Sequence, residues 1–239
     1  VQGDPRAALA ALAAALGKPQ RDGTYLASAQ AEMAAWRAEM APRMANDAKP
    51  IDPARLAAEI MAALPADGIL VADTGYSGIW TATMVDLEPG QSYLRAAGSL
   101  GWSFPAALGA KCAAPDRKVL CWSGDGALYY HLAELETARR RGIAVTLVVN
   151  NNSGFGQGWP NFKRSAGNRP GAAEEILRFG PTDFTAVARS FGLNGIRVER
   201  PEDIGPALRE AMASPETVVV DVVTDIEARA PAPWAPEGA

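Results

Sequence analysis

The chain has 239 residues, a formal net charge of -4, 48% hydrophobic and 21% charged residues, which suits one sizeable globular domain plus a smaller piece and excludes a disordered or fibrous chain. Basic residues are scattered apart from Arg139-Arg140-Arg141, so the concentrated basic face of a nucleic-acid binder is missing. No stretch approaches the roughly 18 uninterrupted apolar residues of a membrane span, and the N-terminus lacks the pattern of a secretory signal, which leaves the cytoplasm as the expected location.

In chain order, Val1-Gln2-Gly3-Asp4 reads as a strand end and its turn, and Pro5 opens a helix through AALAALAAAL to Gly17. A strand end and one helix cannot bury each other, so residues 1–17 read as the tail of a preceding domain. Residues 18–50 read as a linker with a helical stretch around AQAEMAAWRAEM. From Ile51 the pattern becomes regular: helical DPARLAAEIMAAL, apolar ILVAD, a turn at TGYSG, helical WTATMV, a short YLRA, the turn GSLGWS, helical PAALGAKCAA and apolar VLCW. After a further helix and an apolar run come TDFTAVARSFG, IRV, PEDIGPALREAMA and TVVVDVV. Short apolar runs alternating with helices predict an α/β fold over 51–228, a parallel sheet with helices on both faces. A Pro-rich tail, 229–239, follows. Cys112 and Cys121 sit in apolar segments without CxxC spacing, and read as packing thiols.

The stretch Gly124–Gly154, GDGALYYHLAELETARRRGIAVTLVVNNNSG, carries the chemistry. Leu128, Leu132, Leu135 and Ala138 form one helical stripe, Gly142 can end the helix, and the arginines suit its negative end. This is one βαβ unit, so Asp125 and Asn152 both fall past the carboxyl ends of parallel strands, where open α/β sheets place ligands. A carboxylate and an amide oxygen are hard ligands for Mg2+ or Ca2+, and two are too few without phosphate oxygens and waters. A helix starting near Ala127 offers N–H groups to a phosphate, and Gly124 and Gly126 let backbone come close. Either motif alone reads as a turn; their conjunction makes a site.

GDG followed about two dozen residues later by NN resembles the cofactor motif of thiamine-diphosphate-dependent enzymes. That resemblance implies that Asp125, Asn152 and the carbonyl of Gly154 hold Mg2+, which holds the diphosphate. Gly98 to Gly109, GSLGWSFPAALG, is similar to a segment of the acetolactate synthase and benzoylformate decarboxylase group, which implies that Leu100 wedges beneath the bent cofactor, with Gly98 and Ser99 beside it. Thr74-Gly75-Tyr76-Ser77-Gly78 resembles the first diphosphate-contacting turn, with Tyr76 and Ser77 as contacts in place of the usual histidine. Ala127 and Phe155 complete the implied cofactor contacts. The resemblance covers nearly the whole chain as the C-terminal part of a three-domain enzyme.

It further implies a 2-oxo acid substrate, decarboxylation or carboligation, and a catalytic glutamate in a separate pyrimidine-binding domain, so that this chain alone holds the cofactor without turning over. A homodimer or homotetramer is implied for the intact enzyme. His131, Glu134 and Glu136 lie within the helix after GDG and read as structural or solvated. The Gly/Pro-rich stretch 155–181, with one helical piece at AAEEILRF, is expected to cover the site, with Phe155, Gln157 and Trp159 nearest the substrate. Rival readings are a small subunit of a heteromeric 2-oxo acid decarboxylase, a non-catalytic cofactor-binding module, and a dinucleotide-binding domain suggested by Gly154-Phe155-Gly156-Gln157-Gly158. The last is disfavoured because Trp159-Pro160 stands where a helix should begin.

Overall fold

The computed structural model describes residues 2–18, 23–169, 171 and 173–231. Val1 of the expected strand end and residues 232–239 of the Pro-rich tail lie outside them. The chain divides into two compact units, 1–41 and 42–239. The first contains α1 (Pro5–Leu16), whose N-terminus is capped by the Asp4 carboxylate accepting from the Ala7 N–H, and most of α2 (Thr24–Met44). Neither helix has a buried residue. Segment 42–50 belongs with the second unit: Arg43 pairs with Asp52 at 2.8 Å and lies over the Trp80 ring, and Asp47 pairs with Arg55.

The second unit continues with α3 (Pro53–Ala63), β1 (Ile69–Ala72), α4 (Tyr76–Met84), β2 (Ser92–Arg95), α5 (Ser103–Ala113) and β3 (Val119–Gly124). Then follow α6 (Asp125–Leu128), a 3-10 turn at Tyr129–His131, α7 (Glu134–Arg141), β4 (Thr146–Asn151), α8 (Trp159–Ser165) and α9 (Glu174–Leu177). Last come α10 (Phe184–Ser190), β5 (Asn194–Val198), α11 (Ile204–Ala213) and β6 (Val218–Val223). The six strands are all parallel, in the order β2-β1-β3-β4-β6-β5. Strand period sorts the two faces. Ile69, Val71, Val119, Cys121, Leu147, Val149 and Val219 pack against Phe104, Leu108, Leu135, Ala138, Phe184 and Ala188 of α5, α7 and α10. The alternate residues face the other side, where α4 and α11 lie against the sheet and α3 packs against both helices. Among the described residues no helix is long and apolar enough to cross a membrane.

Three local expectations change. The helix after GDG is broken rather than continuous. It starts at Asp125, tightens over Tyr129–His131 and resumes at Glu134. The break coincides with Tyr129, which packs edge-on against Phe179 and shares a 2.6 Å hydrogen bond with Thr182. Leu128, Leu135 and Ala138 of the expected stripe are buried, Leu132 is half-buried, and Gly142 caps the helix in the left-handed conformation. Cys112 is exposed, because it lies on the outer side of α5. Cys121 is buried, and burial pushes its thiol pKa up to about 12, so at neutral pH it packs as an inert apolar group. Finally, a helix does begin at Trp159. Proline is tolerated in a first helical turn, where an N–H has no intrahelical partner, so the Trp-Pro pair does not forbid it.

Candidate functional site

Strand order reverses between β1 and β3: the chain leaves β1 toward β2 on one side, then returns to place β3 and β4 on the other. Such a switch point opens a crevice at the carboxyl ends of the strands. A cavity of about 220 Å³ lies there, lined by Thr74–Ser77 after β1, Leu100, Gly124–Ala127 after β3, Asn150 and Asn152 at the end of β4, and Gly154–Gly158.

Two helices begin at its wall. Gly75, with φ 84°, turns the chain from β1 into α4 without any side-chain cap, and α6 begins uncapped at Asp125. First-turn N–H groups with no intrahelical acceptor favour an anion. Asp125 is 3% exposed. One of its oxygens accepts from its neighbour Gly126 N–H at 2.7 Å, the other from Gly154 N–H at 3.1 Å. Burial dominates over those donors and pushes its carboxyl pKa up to about 6. Such a group gains from a cation.

Asn152 is also buried, and its Oδ1 has no hydrogen-bond partner. The loop carrying it is tightly determined. Ser153 takes a left-handed φ of 54°. Phe155 N–H donates to the Leu177 carbonyl and Phe179 N–H to that of Ser153, clamping Gly154 beside Arg178. Arg178 Nη1 donates to the Asn152 carbonyl at 3.0 Å. A Cβ on Gly154 would stand 2.6 Å from the Leu177 carbonyl, and one on Gly156 would stand 2.8 Å from Asn152 Nδ2. Glycines of the GFGQG run therefore pack this loop against the Asn152 side chain and the 177–179 backbone.

Of the residues singled out from sequence, Tyr76, Ser77, Leu100, Gly124, Asp125, Gly126, Ala127, Asn152, Gly154, Phe155 and Gln157 line the cavity. Gly98 and Ser99 are exposed and do not line it; their turn presents only Leu100. Trp159 is buried instead with Ala173 and Leu177, its indole N–H donating to Glu227. His131 abuts Gly101, and Glu136 pairs with Arg140 in solvent. Two further carboxylates escaped the sequence reading. Asp73, fully buried, accepts from Thr74 N–H, Gly101 N–H at 2.9 Å and Ser103 N–H at 2.8 Å. It thereby ties the Leu100 turn to the end of β1. Asp221, also fully buried, holds Asn151 next to the loop by accepting from its Nδ2 at 2.8 Å. The apolar strand ends ILVAD and VVVDVV were the available signal, each with one acid closing or interrupting an apolar run.

Residues 73–222, more than half the chain, match the family described as thiamine pyrophosphate enzyme, C-terminal TPP binding domain. A probable acetolactate synthase large subunit of Methanococcus aeolicus is 32% identical over 196 residues, covering 77% of this chain and 31% of that protein. A probable acetolactate synthase of Mycobacterium bovis is 33% identical over 231 residues, covering 93% and 40%. Among solved structures, a thiamine diphosphate-dependent 4-hydroxybenzoylformate decarboxylase of Rhodococcus jostii is similar with a TM-score of 0.65 and 31% identity, over 75% of this chain and 33% of that one. The chain thus spans about a third of the length of these relatives. With its six parallel strands, its switch-point cavity and this match, the chain belongs to the thiamine pyrophosphate enzyme family, of which it carries the C-terminal TPP-binding domain.

Proposed function

We propose that the cavity holds the diphosphate of thiamine diphosphate through Mg2+, and that the chain works as the diphosphate-binding part of an acetolactate-synthase-like enzyme acting on 2-oxo acids. The observation carrying this reading is the buried Oδ1 of Asn152, without any protein donor, beside a buried carboxylate whose ionised form is penalised. Both are hard oxygens, and both lie where two uncapped helix starts suit an anion. That donor set fits a hydrated divalent cation shared with phosphate.

In this reading Asp125, Asn152 and the Gly154 carbonyl hold the cation. The Gly154 carbonyl already accepts from Gly156 N–H, and its second lone pair remains for a ligand. Tyr76, Ser77 and the first turn of α4 bind the diphosphate. Leu100, held by Asp73 through the Gly101 and Ser103 N–H groups, supplies the apolar support. Phe155 and Gln157 form the wall toward substrate. When bound, the cofactor supplies the electron sink for breaking or making a bond next to a 2-oxo group. The protein's share is orientation and exclusion of water.

Asp125 is the sole carboxylate among the described residues lining the cavity, and in this reading it is committed to the cation. On the same reading, the carboxylate that moves a proton on the cofactor comes from a pyrimidine-binding domain, in the same polypeptide or in another subunit of a dimer or tetramer. Relatives named as acetolactate synthases and as a decarboxylase support a 2-oxo acid as substrate class. The test is titration of the chain with thiamine diphosphate, with and without Mg2+, followed by assay with pyruvate and benzoylformate. Binding that requires Mg2+, without turnover, is expected. No Mg2+-dependent binding would refute the cofactor site, and turnover by the chain alone would refute the division of labour.

A further inference from the structure

The three consecutive asparagines at the end of β4 are sorted by strand period. Asn151 faces the α10 side and is tied to Asp221 and the Thr182 carbonyl. Asn150 and Asn152, two positions apart, share the opposite side and both line the cavity. Both are buried, Asn150 at 2% exposure, and the Oδ1 of each lacks a hydrogen-bond partner. Asn150 lies in register with Gly124, which has no side chain to intervene and immediately precedes Asp125.

We propose that Asn150 is a further cofactor-binding residue, whose amide hydrogen-bonds the hydrated cation–diphosphate group. This inference rests on the preceding functional reading. An amide on a buried strand is a poor choice for stability: asparagine is disfavoured in strands, and an unpartnered buried polar group has lost water without compensation. The preceding strand residues, Leu147, Val148 and Val149, are all apolar. The position therefore departs from its own strand's pattern at the one place where the strand reaches the cavity. The chemistry matches what the cavity would contain. Mg2+ usually keeps several waters, whose O–H groups can donate to Oδ1, while Nδ2 can donate to a phosphate oxygen. A group of this kind would tune cation affinity without displacing Asp125 or Asn152 as direct ligands.

Asn150→Leu removes the amide while keeping its branched shape and number of side-chain heavy atoms, and Asn150→Thr removes it with a smaller, β-branched residue suited to the strand. Each is compared with wild type by titrating Mg2+ at fixed thiamine diphosphate, with the thermal midpoint measured with and without ligand. We expect the Mg2+ concentration for half-saturation to rise about tenfold, the outer-shell range, while the unliganded midpoint stays level or rises. A role confined to packing would instead lower the unliganded midpoint and leave the Mg2+ dependence unchanged. If either folded variant keeps wild-type Mg2+ dependence, or if both fail to fold, the inference is overturned. Absence of binding by wild type would overturn the functional reading as well, so the two failures are distinguishable.

Discussion

Asp125→Ala is expected to weaken Mg2+-dependent thiamine diphosphate binding by more than about 100-fold, beyond the loss typical of an outer-shell partner. The variant removes the only charged side chain among the described residues lining the cavity, while Asn152 and the Gly154 carbonyl offer only neutral oxygens. A second consequence appears without ligand. Burial raises the Asp125 pKa from 3.8 to about 6, so the folded chain holds this proton more tightly than the unfolded one. Stability is therefore greatest below pH 4 as far as this group is concerned, and it falls as pH rises through the window from about 4 to 6. A rise of roughly two pKa units corresponds to about 3 kcal/mol. The unliganded wild type should melt higher at pH 5 than at pH 7, and Asp125→Ala should flatten that difference. Liganded protein should lose that slope between pH 5 and 7, because a cation bound to the ionised carboxylate leaves no proton on this group in either the folded or the unfolded chain. Calorimetric melts at both pH values, with and without Mg2+ and thiamine diphosphate, measure both slopes. Parallel pH profiles for wild type and variant would show that Asp125 is not the group responsible.

Much of this was legible in the sequence, for identifiable physical reasons. Parallel strands buried on both faces announce themselves as short unbroken apolar runs, and VLCW and TVVVDVV did so. One βαβ unit forces the residues past its two strands to the same sheet edge, so Asp125 and Asn152 could be paired across 27 positions. Contacts made after the chain turns back were not legible. Nothing local in ILVAD says that Asp73 will accept from amides 28 and 30 residues later. The break at Tyr129 coincides with contacts to Phe179, in a stretch whose glycines and prolines suggested an irregular loop, and to Thr182 just beyond it. Within that stretch Gly154 and Gly156 obey long-range packing, so a run resembling a dinucleotide fingerprint has another cause. The asparagine triplet shows the same limit. Its composition proposed a site, but only strand period and the partners of each amide separate an anchored Asn151 from two residues with free oxygens.

Asp221→Ala should have the largest effect on stability. Asp221 is fully buried on β6; Oδ1 accepts from Asn151 Nδ2 at 2.8 Å, and Oδ2 accepts from Phe184 N–H at 3.0 Å and Arg197 Nη1 at 2.6 Å. One carboxylate thus joins three elements: β4 through Asn151, the first residue of α10, and β5 through Arg197. Burial raises its pKa, opposed by Asn151 and Arg197. Removing it leaves the helix-start N–H of Phe184 and one Asn151 amide hydrogen without their acceptor and takes from Arg197 its buried partner, while Glu199 at 3.0 Å remains. Breaking a buried pair costs about 3–5 kcal/mol. Arg197 is about one-third exposed, and water can compensate it in part, so a loss near 3 kcal/mol in denaturant unfolding is expected. The partner change Arg197→Leu should cost less, and the double variant Asp221→Ala/Arg197→Leu less than the sum, because the carboxylate and its guanidinium partner are then removed together. Strict additivity in that cycle would mean that the pair does not interact. The same carboxylate should also be felt in the cavity. Both Nδ2 hydrogens of Asn151 are used, one on Asp221 and one on the Thr182 carbonyl, and freeing one loosens the residue adjoining Asn152. Folded Asp221→Ala should therefore bind Mg2+ and thiamine diphosphate more weakly, although Asp221 touches neither, whereas Arg197→Leu should leave binding near wild type. That contrast separates a local effect passed through Asn151 from a general loosening of the fold.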